Sequence, residues 1–82
     1  MVLMPLDENR TPLTAKEKLL VSNIKNARLD AELTQEELSY QIGKNSNYIG
    51  MIESYRRRMS FKTLFKVAST LNIKVKELFE GI

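Results

Sequence analysis

The stretch from Thr34 to Glu53, TQEELSYQIGKNSNYIGMIE, restricts this chain to few folds. Thr34 opens a capping box with Glu37 three residues on: the hydroxyl takes the N3 amide and the glutamate returns to the cap amide. Leu38 and Ile42 then give the first helix one apolar stripe, while Glu36 and Glu37 point away. Gly43 stands just past that stripe, where a left-handed residue ends a helix and glycine carries no Cβ penalty. Asn45 has the side chain of a second N-cap. Ile49 and Ile52 form the buried edge of the helix it opens. Two helices this short, joined by about three residues, cannot run side by side. They must cross steeply, with the second presented outward.

On either side the pattern stays helical. Residues 1–12 hold two prolines and no apolar period, and are expected to form a flexible arm. Residues 13–82 are expected to form one domain. Thr14 opens a long helix with another box to Glu17. At about 100° per residue, Leu20, Val21, Ile24, Ala27, Arg28 and Ala31 share one face. An arginine there asks for an acidic partner. Leu19 and Leu29 fall off the stripe. The helix should stop near Asp30 or Ala31, although Glu32 is an unusual residue for the stop.

Beyond the central motif, SYRRRMS at Ser54 to Ser60 reads as a loop with three adjacent arginines. Ser60 caps a helix with Leu64, Val67, Ala68 and Leu71 inward, Phe61 and Phe65 extending that face, and Asn72 as its end. A last short helix, about Val75 to Glu80, turns Leu78 and Phe79 inward and stops at Gly81. No run alternates with period two. The expected fold class is all-α: five helices with a helix-turn-helix at their centre.

The chain has no cysteine and no histidine, which removes disulfides, thiolate metal sites and the commonest general base. No Ser-His or Cys-His pair can form, the phosphate-loop glycine pattern is missing, and the acidic residues show no metal-ligand grouping. No enzyme, metal, cofactor or small-molecule ligand is therefore expected. The apolar residues at the N-terminus are too few for a signal peptide or a membrane span, so a cytoplasmic protein is expected. Charge is uneven. Residues 1–40 carry five basic and seven acidic side chains, and residues 41–82 carry eight basic and three acidic ones. The basic half begins at the turn before the outward helix. It favours a polyanion, through counterion release on phosphate neutralisation.

These residues resemble the lambda-repressor-like (Cro-repressor or XRE-type) helix-turn-helix family. The likeness runs from about Ile24 to Phe79 and rests on Arg28, LTQEEL at Leu33 to Leu38, and Gly43 with Tyr48-Ile49. It continues through Ile52-Glu53, Thr63-Leu64 and Ala68 to Ile73. Within the family, Glu53 to Leu64 looks like the restriction–modification controller proteins, which are dimers of about this length. The resemblance implies a five-helix DNA-binding domain acting as a dimeric regulator. It also implies that Gln35 bonds a phosphate, that Asn45, Ser46, Asn47 and Met51 face the groove, and that Arg28 pairs with Glu53. Tyr55 stands where the family often has a helix-ending glycine, Met59 replaces a common proline, and Ser46 replaces a frequent glutamine.

Read residue by residue, the face opposite Ile49 and Ile52 carries Asn47, Gly50, Met51 and Ser54, with Ser46 near the tip. Asparagine can meet an adenine edge with donor and acceptor together, and methionine can touch a thymine methyl. Base contacts are thus expected from Ser46, Asn47, Met51 and Tyr48, although Tyr48 fits a packing role equally well. Phosphate contacts are expected from Gln35, Lys44, Asn45, Arg56, Arg57 and Arg58, the bland alternative being capping or a solvated charged surface. Leu71, Ile73, Val75, Leu78, Phe79 and Ile82 offer more apolar surface than a small core needs and are expected to form a two-fold interface. The expected function is a homodimeric, sequence-specific transcription regulator on double-stranded DNA with a near-palindromic operator. The alternative is an antitoxin or other small interaction module that binds and blocks a partner protein.

Overall fold

The computed structural model describes residues 12–82 and, among them, five helices and no strand: α1 (Ala15–Asp30), α2 (Gln35–Gln41), α3 (Tyr48–Glu53), α4 (Phe61–Thr70) and α5 (Val75–Leu78). The expected N-terminal arm lies outside the described residues except for its last position.

Helix starts follow the capping chemistry. Thr14 Oγ1 accepts the Glu17 amide at 3.1 Å while Glu17 Oε1 accepts the Thr14 amide at 2.9 Å. Thr34 and Glu37 make the same reciprocal pair at 3.0 and 2.9 Å. Ser60 Oγ accepts the Thr63 amide at 3.2 Å. Such caps satisfy amides that have no partner within the helix, and each is worth about 1 kcal/mol.

Helix ends follow one rule with varied residues. After each of α1 to α4 a single residue turns left-handed: Glu32 (φ 58), Gly43 (φ 75), Tyr55 (φ 65) and Asn72 (φ 56). The amide that follows each then bonds back into the last turn: Leu33 to Arg28, Lys44 to Ser39, Arg56 to Met51 and Ile73 to Ala68, at 2.9–3.2 Å. This is the Schellman closure, which reverses the chain sharply and keeps the links short.

α2 packs on α3, α1 on α3 and α5, and α4 on α2 and α5. Ile24, Leu38, Ile49, Ile52, Val67 and Leu78 are fully buried at the centre. Each such side chain contributes about 1.5–3 kcal/mol by leaving water. Two interface expectations change here. Leu71 and Leu78 are 8% and 1% exposed, packed in the chain's own core and so not available to a second subunit. Ile73, Val75 and Phe79 are half-buried, and Ile82 is exposed. Conversely, Phe61 and Phe65, expected at the edge of the core, are 76% and 59% exposed. The core side of α4 is already filled by Leu64, Val67, Ala68 and Leu71, and at helical spacing the phenylalanines fall just beyond it.

α5 is shorter than expected, ending at Leu78, with Gly81 left-handed (φ 82). Asn23 of α1 fastens this end, its Nδ2 donating to the carbonyls of Leu78 (2.8 Å) and Glu80 (3.0 Å). No helix among the described residues is long and apolar enough to cross a membrane.

Candidate nucleic-acid interface

Ile49 and Ile52 point α3 inward, which leaves Ser46, Asn47, Gly50, Met51 and Ser54 on the other side. These five line one open cleft with Gln35 and Glu36 of α2 and Arg56 of the following loop. The helix starts later than expected. Asn45 does not cap it; its carbonyl accepts the Tyr48 amide at 3.0 Å in a tight turn, and α3 begins at Tyr48. Asn47 occupies the cap position without making a side-chain capping bond. Its carboxamide therefore stands exposed at the tip with no local duty.

Three contacts fix how this face is presented. Ser39 of α2 is fully buried; its hydroxyl donates to the Gln35 carbonyl (2.7 Å) and accepts the Ile49 amide (3.0 Å). One side chain thus satisfies an unpartnered amide at the start of α3 and ties α2 to it. Arg28 and Glu53 form the second contact, two parallel bonds at 2.7 and 3.0 Å with both side chains almost wholly out of water. Arg28 also donates to the Leu33 carbonyl at 2.7 Å. Gln35 supplies the third, its Nε2 donating to Glu53 Oε1 at 3.0 Å. The outward helix is held at its first turn by a hydroxyl and at its last by a buried ion pair.

The cations around it divide. Arg56 and Arg57 are exposed. Lys44 Nζ and Arg57 Cζ lie 5.2 and 5.0 Å from the centre of the Tyr48 ring. That is cation–π distance, worth about 0.5–1 kcal/mol at an exposed charge. Tyr48 itself is only 4% exposed, so its ring belongs to the core and not to the outward row of Ser46, Asn47 and the half-buried Met51. The packing alternative describes it. It serves as the surface on which a basic residue from each side of α3 rests.

Arg58 also departs from expectation. Its Nε donates to Glu17 Oε2 at 2.6 Å and its Nη2 to Glu17 Oε1 at 3.2 Å and the Pro12 carbonyl at 3.3 Å. It is a fastener between the loop and α1, with its charge already matched. The Arg58 hydrogen bond and the Thr14 backbone amide hold the Glu17 carboxyl down at about 2, from an ordinary 4.5. Lys18 Nζ sits 5.4 Å from the Tyr55 ring on the same seam. A run of three arginines gave no sign of which one folds back, because the acid that selects Arg58 lies far away in sequence.

Ser39 and Asn23 were not singled out from sequence. Ser39 sits between core positions on α2, and a polar residue there is the available signal. Among the described residues no group of acidic side chains could hold a metal ion.

The family whose profile matches this chain is described as Helix-turn-helix, and the match covers residues 24–78. Control protein C.SmaI of Serratia marcescens is 33% identical over 61 residues, spanning 74% of this chain and 73% of its own. An HTH-type transcriptional regulator of Sinorhizobium fredii is 34% identical over 61 residues, spanning 74% and 79%. The crystal structure of the restriction-modification controller protein C.AhdI from Aeromonas hydrophila is similar with a TM-score of 0.74. It is 29% identical and covers 80% of this chain and 100% of that one. The relatives are regulators and not enzymes, and the matched region runs from the buried face of α1 through the crossed helices to α5: the chain belongs to the XRE-type helix-turn-helix family of DNA-binding transcription regulators.

Proposed function

We propose that the protein binds a near-palindromic operator as a homodimer and acts in the cytoplasm as the controller of a restriction–modification operon. The observation that carries this reading is the outward row of Ser46 and Asn47, both exposed, with the half-buried Gly50 and Met51, held in place by Ser39 and the Arg28–Glu53 pair and flanked by basic residues. In this reading α3 enters the major groove. Asn47 reads a base edge, with Ser46 and Met51 beside it. Gln35, Lys44, Asn45, Arg56 and Arg57 meet phosphates and set the register without reading sequence. Arg58 and Tyr48 support these contacts from behind.

A second copy supplies the second half-site, its α3 about 34–36 Å away along the duplex. The apolar residues left uncovered on and beside the last two helices, among them Ile73, Val75, Phe79 and Ile82, form the joint. Support for the controller role comes from the likeness to C.AhdI, described as a restriction-modification controller protein, and to C.SmaI, described as a control protein.

A titration of the protein against the duplex upstream of its own gene, with a scrambled duplex of equal length as competitor, tests the reading. Specific binding at moderate salt should exceed binding to the scrambled duplex by at least about a thousandfold. Equal affinity for the two would refute specific regulation and favour a role confined to protein partners. A restriction endonuclease or methyltransferase gene beside this one is the expected setting.

A further inference from the structure

Gly50 is the third of the six residues of α3 and has helical geometry, so no turn or left-handed backbone calls for a glycine there. A glycine inside a helix costs roughly 0.5–1 kcal/mol relative to alanine. The space above it is occupied. A Cβ at Gly50 would stand 3.0 Å from Gln35 Oε1 and 3.7 Å from Gln35 Cδ. Gln35 reaches over α3 through this gap to donate from Nε2 to Glu53 Oε1. The orientation of its amide is dictated, because an ionised carboxylate only accepts and the NH2 end must face it. Glu53 is itself held by two bonds from the buried Arg28.

We propose that Gly50 is a positioning residue acting through Gln35: its missing side chain lets the Gln35 amide lie across α3, locked on the Arg28–Glu53 pair, inside the DNA-facing cleft. Gln35 spends one N–H on Glu53 and keeps the other for a phosphate oxygen of the duplex. Its entropy of ordering is met before DNA arrives, so the contact forms with little further loss. A side chain at residue 50 displaces the amide and frees it to rotate. The helix itself is not harmed, because the atom met is the far end of a flexible side chain. The proposal rests on the DNA-binding reading above but makes a separate statement about the free protein.

The test uses the full chain in four forms: wild type, Gly50→Ala, Gln35→Ala and the double variant. In the free protein, the Gln35 side-chain amide resonances, identified by their loss in Gln35→Ala, should be dispersed in wild type. They should collapse to solvent-averaged positions in Gly50→Ala, with no fall in melting temperature. Against the protein's own upstream duplex, Gly50→Ala and Gln35→Ala should each bind roughly tenfold more weakly, the scale of one hydrogen bond to a charged group. The double variant should bind no worse than Gln35→Ala, the mark of two residues acting through one contact. Unchanged Gln35 resonances in Gly50→Ala would overturn the positioning role. So would a Gly50→Ala loss that persists in full in the Gln35→Ala background, which would place the glycine's role at the DNA itself. Failure of wild type to distinguish its own duplex from a scrambled one would instead overturn the functional reading, leaving the resonance result to decide the geometry.

Discussion

Arg28 carries a full charge into the interior, and the cost of doing so is what makes the Arg28–Glu53 pair decisive. The two parallel bonds at 2.7 and 3.0 Å, with a third to the Leu33 carbonyl, leave little of the guanidinium unsatisfied. Replacing one partner strands the other, at about 3–5 kcal/mol. Arg28→Ala should therefore lower the melting temperature, at about 4–8 °C for each kcal/mol in a domain of this size. Thermal unfolding followed by far-UV circular dichroism checks this, and an unchanged midpoint would refute the pairing. Glu17 makes a different prediction, in pH. Its folded-state carboxyl lies at about 2 against an ordinary 4.5, so the stability it contributes is complete above the upper value and lost as pH falls towards the lower one. Glu17→Gln keeps a capping side chain but drops the charge facing Arg58. Wild type should melt higher near neutral pH, and the gap should close on acidification through that window. A gap that stays constant would show that the Arg58 contact carries no charge-dependent stability. At this scale the caps at Thr14, Thr34 and Ser60 were legible because each lies within one turn. The Arg58–Glu17 contact was not, because the two residues are 41 apart and nothing local marks them.

At the scale of elements, the loop after α3 shows how neighbouring residues of one type part company. Arg57 stays exposed over the Tyr48 ring, while Arg58 turns back to α1. Arg57→Ala should weaken binding to all duplexes alike and reduce the slope of log affinity against log salt by about one. Arg58→Ala should leave that slope unchanged and lower thermal stability instead. Titrations at several salt concentrations, paired with melts, distinguish the two; the reverse pattern would mean that the roles are exchanged. The helix boundaries were legible where chemistry is local. Gly43 and Asn72 are residues that tolerate the left-handed region, and both end helices as expected. Glu32 and Tyr55 end helices too, against their own preference, since the tertiary path demands reversal there. The start of α3 was misplaced because Asn45 looks like a cap, whereas the turn through residues 45–47 delays the helix and releases the Asn47 side chain.

For the whole molecule, the fold class and most of the buried face of α1 could be read from periodicity and caps, because apolar spacing determines which side turns inward; Ala31, expected on that face, lies exposed at the helix end. Which apolar residues remain outside could not, because that depends on how tightly α4 and α5 close on the rest. Leu71 and Leu78 were absorbed, and Phe61 and Phe65 were left in solvent. If a second copy covers the uncovered apolar residues, dissociation is coupled to unfolding and the melting temperature rises with protein concentration. Melts over a hundredfold range of concentration (~100-fold, enough to shift a coupled equilibrium by about 2.7 kcal/mol) should show that rise. A midpoint independent of concentration would contradict the dimer.

In the proposed function the α3 face reads bases from a surface whose orientation is set from behind. The most direct test of this is the affinity of wild type and Asn47→Ala for the operator and for every single-base-pair variant of it. Wild type should lose about 1–3 kcal/mol at each contacted pair, and Asn47→Ala should abolish that discrimination at one position repeated symmetrically in the two half-sites. Uniform weakening across all variants, with every preference intact, would contradict the account.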